Sequence, residues 1–484
     1  MATLGDTAAR GAGVVLGTQL ARVGLQFASM VVLARLLTPE DFGLVAMVTA
    51  VIGIAEMIKD FGLSTAAVQA QDLTDGERTN LFWANLGLGT AAGLAAAAAG
   101  PLIVAGYHEP RLGPIVWALS GVFVISGANT QYRSDLMRRM RYRQLATSDI
   151  VSQLVAILVA AALAVGGAGL WALVAQQITL AVVALVMNVI SVRWLPSWPH
   201  RDVPLRRFFR FGGGVLGTHL LAYLMRSVAA MAIGARLGAT SLGYYNRAYQ
   251  LLMTPLQQID APMTAVVLPT LSRVADDEEA FPRYVARVQL LACYGTGVLL
   301  AVAAGLATPL TLVMFGERWL PVAPVFAVLA MGGVFRTLGT VSYWIFLAKG
   351  LTGPQLRQDM LARPVMIVIM LAGLPWGLIG VAYGHLVAFF LYWVVAYLNV
   401  GRRTGVAVRP LFVTASRAVL LVSAPAGVAA AAVTGRLELP ALIELVLGGL
   451  AGLAVIAAVA ALVRPVRRDL VGVLAVGRRA LRRG

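Results

Sequence analysis

The chain is poor in everything a soluble enzyme or a metal protein is built from. Its 484 residues include one cysteine, Cys293, so no intrachain disulfide framework can form. With only four histidines besides, zinc-ribbon and zinc-finger sites are excluded, and no metal site is expected. Lysine is nearly absent: Lys59 and Lys349 are the only two, so 37 of the 39 cationic residues are arginine. Asp, Glu, Lys and Arg together make up 13% of the chain, about half the usual globular share. No H-E-x-x-H, P-loop, G-x-S-x-G or paired-cysteine motif occurs, so no catalytic residue and no nucleotide site is assigned. The outer loops expected below are short, which counts against a membrane glycosyltransferase or polysaccharide polymerase.

What is abundant is apolar sequence. Hydrophobic residues are 59% of the chain and the mean hydropathy is +0.80. A spanning helix needs about 20 mostly apolar residues. Runs between charged or Pro/Gly-rich breaks place six spans at 12–36, 42–62, 80–104, 112–132, 148–166 and 169–192. Six more fall at 211–235, 242–270, 288–314, 322–347, 363–374 and 376–399, and two at 412–433 and 440–463. The first run is too long for a cleaved secretory signal and reads as a retained span. The fold class is therefore an all-α polytopic membrane protein of about 14 transmembrane helices.

Arginine placement tests the count. Of the 39 cationic residues, thirty belong to the inner segments and the adjoining span ends and five to the outer ones (Arg35, Arg111, Arg236, Arg318, Arg436). That asymmetry fits the positive-inside rule for an even count with both termini cytoplasmic. The net charge of +17 thus belongs to membrane topology, and no nucleic-acid partner is expected, since no soluble segment is long enough for such a module. The basic stretch Arg138 to Arg143 and the tail Arg478, Arg479, Arg482 and Arg483 suit anionic membrane lipid.

The chain repeats. Gly17-Thr18-Gln19-Leu20 returns as Gly217-Thr218-His219-Leu220, and Ala34-Arg35-Leu36 as Ala235-Arg236-Leu237, with Gly43 and Gly243 soon after. Gly169-Leu170-Trp171-Ala172 returns as Gly377-Leu378-Ile379-Gly380. An offset of 200 to 208 residues spans six helices, so both copies share one orientation and the repeat is parallel. The expected domains are an N-terminal lobe (1–200), a C-terminal lobe (201–403) and two extra helices with a basic cytoplasmic tail (404–484). Two similar bundles with a cleft between them make a transporter architecture.

Charges inside spans are the candidate site. Arg22 and Arg226 lie near the middle of the first and seventh spans, Arg336 in the tenth and Arg247 toward the outer end of the eighth. A charge at mid-bilayer costs at least about 2.5–3.5 kcal/mol, so such side chains face protein or a watery cavity. Together they suit a phosphate or pyrophosphate, which guanidinium groups grip with two parallel bonds. Arg247 has snorkelling to the interface as its alternative, and Arg336 a structural ion pair. Glu56 and Asp60, one turn apart, and Asp260, 200 residues after Asp60, are candidates for proton or sodium coupling, with simple charge balance as the alternative. Asn85, Asn129 and Gln131 are candidate sugar contacts or interhelical glue. His219 and His385 read as interior histidines. Pro255, Pro262 and Pro269, at seven-residue spacing, and Gly213 in a triple glycine are candidate hinges.

Three segments carry a family resemblance: Thr38-Pro39-Glu40-Asp41-Phe42-Gly43-Leu44, Leu242-Gly243-Tyr244-Tyr245-Asn246-Arg247-Ala248, and the basic loop from Met137 to Tyr142. With the whole-chain pattern they resemble the Wzx-type polysaccharide flippases, colanic-acid-exporter-like members of the multidrug/oligosaccharidyl-lipid/polysaccharide (MOP) exporter superfamily. The resemblance implies a fold like that of MATE transporters and movement of undecaprenyl-pyrophosphate-linked oligosaccharide across a bacterial plasma membrane. It implies lipopolysaccharide, exopolysaccharide or capsule biosynthesis, no cofactor beyond a coupling ion, and a polymerase or export machinery as partner. A cation-coupled drug or metabolite antiporter of the same superfamily is the alternative. That rival calls for buried acids outnumbering buried arginines, and this sequence shows the reverse.

Overall fold

The computed structural model describes residues 4–60, 63–69, 73–200, 202–203, 205–434 and 439–481; side chains of 4–16, 18, 20, 57–60, 65, 66, 69, most of 206–226 and 474–481 lie outside that description. Among the described residues the chain is helical and has no strand. The first helices are α1 (Leu4–Leu36), α2 (Pro39–Asp60), α3 (Leu63–Gln69), α4 (Asp75–Ala98), α5 (Gly100–Tyr107), α6 (Leu112–Arg138), α7 (Tyr142–Val165) and α8 (Leu170–Val192). The long α9 (Arg206–Arg273) is followed by α10 (Ala280–Leu291), α11 (Val298–Gly305), α12 (Ala307–Phe315), α13 (Val322–Ala348), α14 (Thr352–Ala372) and α15 (Gly377–Thr404). The last are α16 (Val408–Ala418), α17 (Ala424–Val433), α18 (Ala441–Leu462) and α19 (Arg464–Leu481).

Nine helical stretches among the described residues are long and apolar enough to cross a membrane, one of them, Thr352–Thr404, being two helices in sequence. Adding α1, α2 and the two parts of α9 brings the number to fourteen, the count expected from the sequence. Boundaries differ where polar residues hide helix. The eleventh span begins at Thr352 rather than 363, because α14 carries Arg357, Gln358, Asp359 and Arg363 in its first turns. Most of these groups find partners: Tyr392 donates to Asp359 at 2.9 Å, Arg363 reaches the same carboxylate at 2.9 Å, and Asn399 donates to the Gln358 oxygen at 2.7 Å, while Arg357 is exposed. The seventh and eighth spans are separated by a single residue, Gly238, whose φ of 81° and ψ of 177° break α9. Left-handed φ is cheap only for glycine. Pro255, Pro262 and Pro269 lie inside the helix beyond this break.

The chain divides into two compact units, residues 1–243 and 244–484. In the first unit the turn after α1 is sharply specified. Thr38 donates its amide and hydroxyl to Asp41 Oδ2 at 2.9 and 2.6 Å, Asp41 returns its amide to the Thr38 hydroxyl at 3.2 Å, and Pro39 opens α2. The same turn packs backbone to backbone on the end of this unit. A Cβ on Gly43 would lie 1.8 Å from the Ala239 carbonyl oxygen, and one on Gly243 would lie 1.9 Å from that of Pro39. These four positions are related in pairs by the 200-residue repeat, so the contact is reciprocal. The repeated glycines are present because no side chain fits.

The strap after α8 is fastened to α4. Asn80 donates to the carbonyls of His200 and Val203 at 2.7 and 3.0 Å and accepts from the His200 amide at 2.8 Å, while Trp83 donates to Ser197 at 2.8 Å and stacks on Trp198. In the second unit, a core built on Trp344, Tyr397, Phe281 and Phe346 takes the apolar side of α19. Val466, Leu470 and Val473 recur at helical spacing and pack on it, and Asp469 receives Arg417 and the Tyr294 hydroxyl.

Substituting Gly43 by valine is expected to destabilise the protein by at least about 1–3 kcal/mol, since the backbones must part to admit it. Alanine at Gly17, which meets open space, should leave stability unchanged. Thermal melting of the two purified variants by fluorescence-detected size exclusion checks both.

Candidate functional site

Three helices of the first unit bring charges together. Asp149, near the start of α7, is gripped by Arg133 of α6 through two parallel contacts of 2.6 and 3.2 Å. Arg22 of α1 reaches the same carboxylate at 3.4 Å. The acid is 17% exposed, whereas Arg22 and Arg133 are 51% and 41% exposed. Two guanidinium groups on one carboxylate leave one positive charge over, and both arginines keep open flank. One turn before Arg133, Asn129 accepts from Asn188 of α8 at 2.9 Å.

The second unit has a tighter arrangement. Arg336 of α13 and Asp260 of α9 are 2.9 Å apart, each about three-quarters buried. The contact is a close ion pair without the alignment of a hydrogen bond. Arg247, half-buried on α9, donates to Gln250 at 2.9 Å. His385 is buried against Phe389 and Tyr249, and neither ring nitrogen has a hydrogen-bond partner among the described residues.

The outer acids are committed to structure. Glu40 pairs with Arg111 at 2.6 Å, which also grips Glu109 at 2.8 Å, and Asp41 caps α2. The bonds from Arg111 hold the Glu109 carboxyl below its usual range.

Comparison with known proteins adds the family. The sequence profile described as polysaccharide biosynthesis protein matches residues 32–324, more than half of the chain. The chain belongs to the polysaccharide biosynthesis protein family. Its relatives include the lipopolysaccharide biosynthesis protein WzxC of Escherichia coli, 24% identical over 385 residues that cover 78% of this chain and 77% of the relative. The succinoglycan biosynthesis transport protein ExoT of Rhizobium meliloti is 28% identical over 330 residues, covering 67% and 66%. Among solved structures, the lipid II flippase MurJ in an inward closed conformation superposes with a TM-score of 0.69 at 13% identity, covering 91% of this chain and 97% of that one. At that identity the likeness speaks for the fold alone.

Within this polysaccharide-biosynthesis fold the residues singled out from sequence fare differently. Arg22 and Arg336 each meet a carboxylate, and Asp260 is the partner of Arg336. Arg226 and Asp60 sit on α9 and at the end of α2, with side chains outside the described residues. Gly213 lies on α9, likewise without a described environment, and Glu56 is half-buried on α2. Asn85 and Gln131 are each 1% exposed, with amide atoms that have no hydrogen-bond partner among the described residues, and Asn129 bonds to Asn188.

Sequence reading missed Asp149 as an arginine partner and put Arg133 in a loop. The structure continues α6 to Arg138, which places Arg133 within the helix. The signal was available: Asp149 is an acid at the edge of an otherwise apolar run. A second missed pair is Arg78 with Asp135, both over 90% buried, where Arg78 also lies 4.0 Å from the Trp194 ring centre and Arg139 flanks the acid at 3.4 Å.

Arg78→Met should cost about 3–5 kcal/mol by stranding the buried Asp135 carboxylate, and adding Asp135→Leu should recover most of that loss. Melting curves of the single and double variants decide it. At the outer end, the lowered Glu109 carboxyl contributes stability above its unfolded value that is lost as pH falls through the folded one. Acidification below the usual carboxylate range should therefore shift the wild-type melting temperature more than that of Arg111→Ala, as a pH series of melts would show.

Proposed function

We propose that this chain is a flippase that carries undecaprenyl-pyrophosphate-linked oligosaccharide from the inner to the outer leaflet of the bacterial plasma membrane by alternating access. The observation that carries the reading is the Arg22–Asp149–Arg133 group, a half-open cationic site on membrane helices. Pyrophosphate oxygens match guanidinium groups in the same two-pronged way as the Asp149 carboxylate does, so a head group can bind on the open flanks of Arg22 and Arg133. Arg226, Arg336 and Arg247 are the further candidate head-group arginines in this reading. The polyprenyl chain stays in lipid. Family membership and the transport proteins among the relatives support the same direction, as does a fold shared with a lipid II flippase. With no nucleotide motif in the sequence, the work comes from an ion gradient or the membrane potential, and Glu56, Asp60 and Asp260 are the candidate proton or sodium ligands. Both termini are cytoplasmic, and the lobes of residues 1–200 and 201–403 move about Gly213 and the prolines of α9, with residues 404–484 appended. Polymerase or export machinery takes the product.

Purified protein in proteoliposomes with a fluorescent undecaprenyl-pyrophosphate oligosaccharide tests this. Wild-type protein should exchange the probe between leaflets, and Arg22→Ala with Arg226→Ala should slow exchange by roughly ten- to a hundredfold, the loss expected for charge-assisted hydrogen bonds. Exchange unaffected in the double variant removes these arginines from the site. No exchange under any ion gradient, with efflux of organic cations instead, replaces the flippase by an antiporter.

A further inference from the structure

Helix α1 shows two opposite open faces over 17–28. Gly17, Ala21, Gly24 and Ala28 are exposed on one, and Gln19, Arg22 and Gln26 on the other. At 100° per residue the three polar residues fall within about 60° of one another, and Gln19 and Gln26 are about 10 Å apart along the axis. A guanidinium and two amides on an open face within a membrane span are too costly to turn toward lipid, so this face borders water or substrate. Two contacts fix it to the rest of the first unit. Arg22 reaches Asp149 at 3.4 Å, and three residues past Gln26 the buried Ser29 accepts from Gln176 of α8 at 2.9 Å. The face is therefore continuous with the arginine group and extends one turn to either side of it along α1.

We infer that Gln19 and Gln26 are a glycan-binding surface, reading sugar hydroxyls on the lipid-linked substrate while Arg22 meets its phosphate. This rests on the flippase reading and adds the residues that would set selectivity for the sugar. The division follows from the donor sets. Arginine only donates and suits an anion, whereas a glutamine amide both donates and accepts, as a hydroxyl does. An exposed amide pair flanking the phosphate-binding arginine is placed to meet the first sugars attached there. Asn85 and Gln131, buried as they are, offer no such surface. A site that hydrogen-bonds hydroxyls discriminates against ligands lacking them, since its own polar groups are then left unpaired.

The test compares two probes in proteoliposomes: undecaprenyl pyrophosphate bearing a tetrasaccharide, and the same lipid pyrophosphate bearing no sugar. Leucine suits a membrane helix, so Gln19→Leu with Gln26→Leu should insert and fold; if it does not, Gln26→Met alone makes the same comparison. The double variant should move the tetrasaccharide probe about five- to tenfold more slowly than wild type, with the sugar-free probe within about twofold. Equal slowing of both probes, or no slowing of either, overturns the glycan-binding role while leaving the flippase reading in place. A wild type that moves neither probe overturns the flippase reading and this inference with it.

Discussion

An arginine inside a bilayer is stable only where a carboxylate, a polar protein surface or water meets it. The described charges within the membrane helices obey that constraint in different degrees. Arg78 and Asp135 are buried together and sealed by Trp194. Arg336 and Asp260 are mostly buried. Asp149 is shared by Arg22 and Arg133, with both cations half open. A sealed pair holds helices in place, whereas an open pair that shares one acid has charge to spare. The helix packing of the first unit is arranged around that difference: α1, α6 and α7 meet where Asp149 sits.

The same reasoning separates a conduit from an enzyme here. Glu40 and Asp41, the close acidic pair at the outer turn, are consumed by Arg111 and by capping α2. The Asp149 group and the open polar face of α1 are cationic and amide in character, suited to holding a phosphate and hydroxyls. Family membership and the fold agree with that chemistry.

Much of the architecture was legible without coordinates. Apolar runs mark spans because the bilayer imposes a length. The repeat was visible at Gly43 and Gly243, where the structure shows two backbones in contact. Legibility failed at α14, whose early turns are polar yet helical because Tyr392, Asn399 and Arg363 satisfy them. It failed again at Arg133, read as loop because a basic residue near the inner interface looks the same in either setting.

The sequence by itself determined the class, the number of spans and the presence of arginines that had to be accounted for. Composition and periodicity are local properties, and the membrane acts on them locally. Only the tertiary structure decided which acid meets which arginine, that Asn85 and Gln131 are buried, and that Gln19, Arg22 and Gln26 share an open face. Those are pairings across 16 to 127 positions of chain, as between Arg133 and Asp149 or Arg22 and Asp149, and helix packing alone sets them.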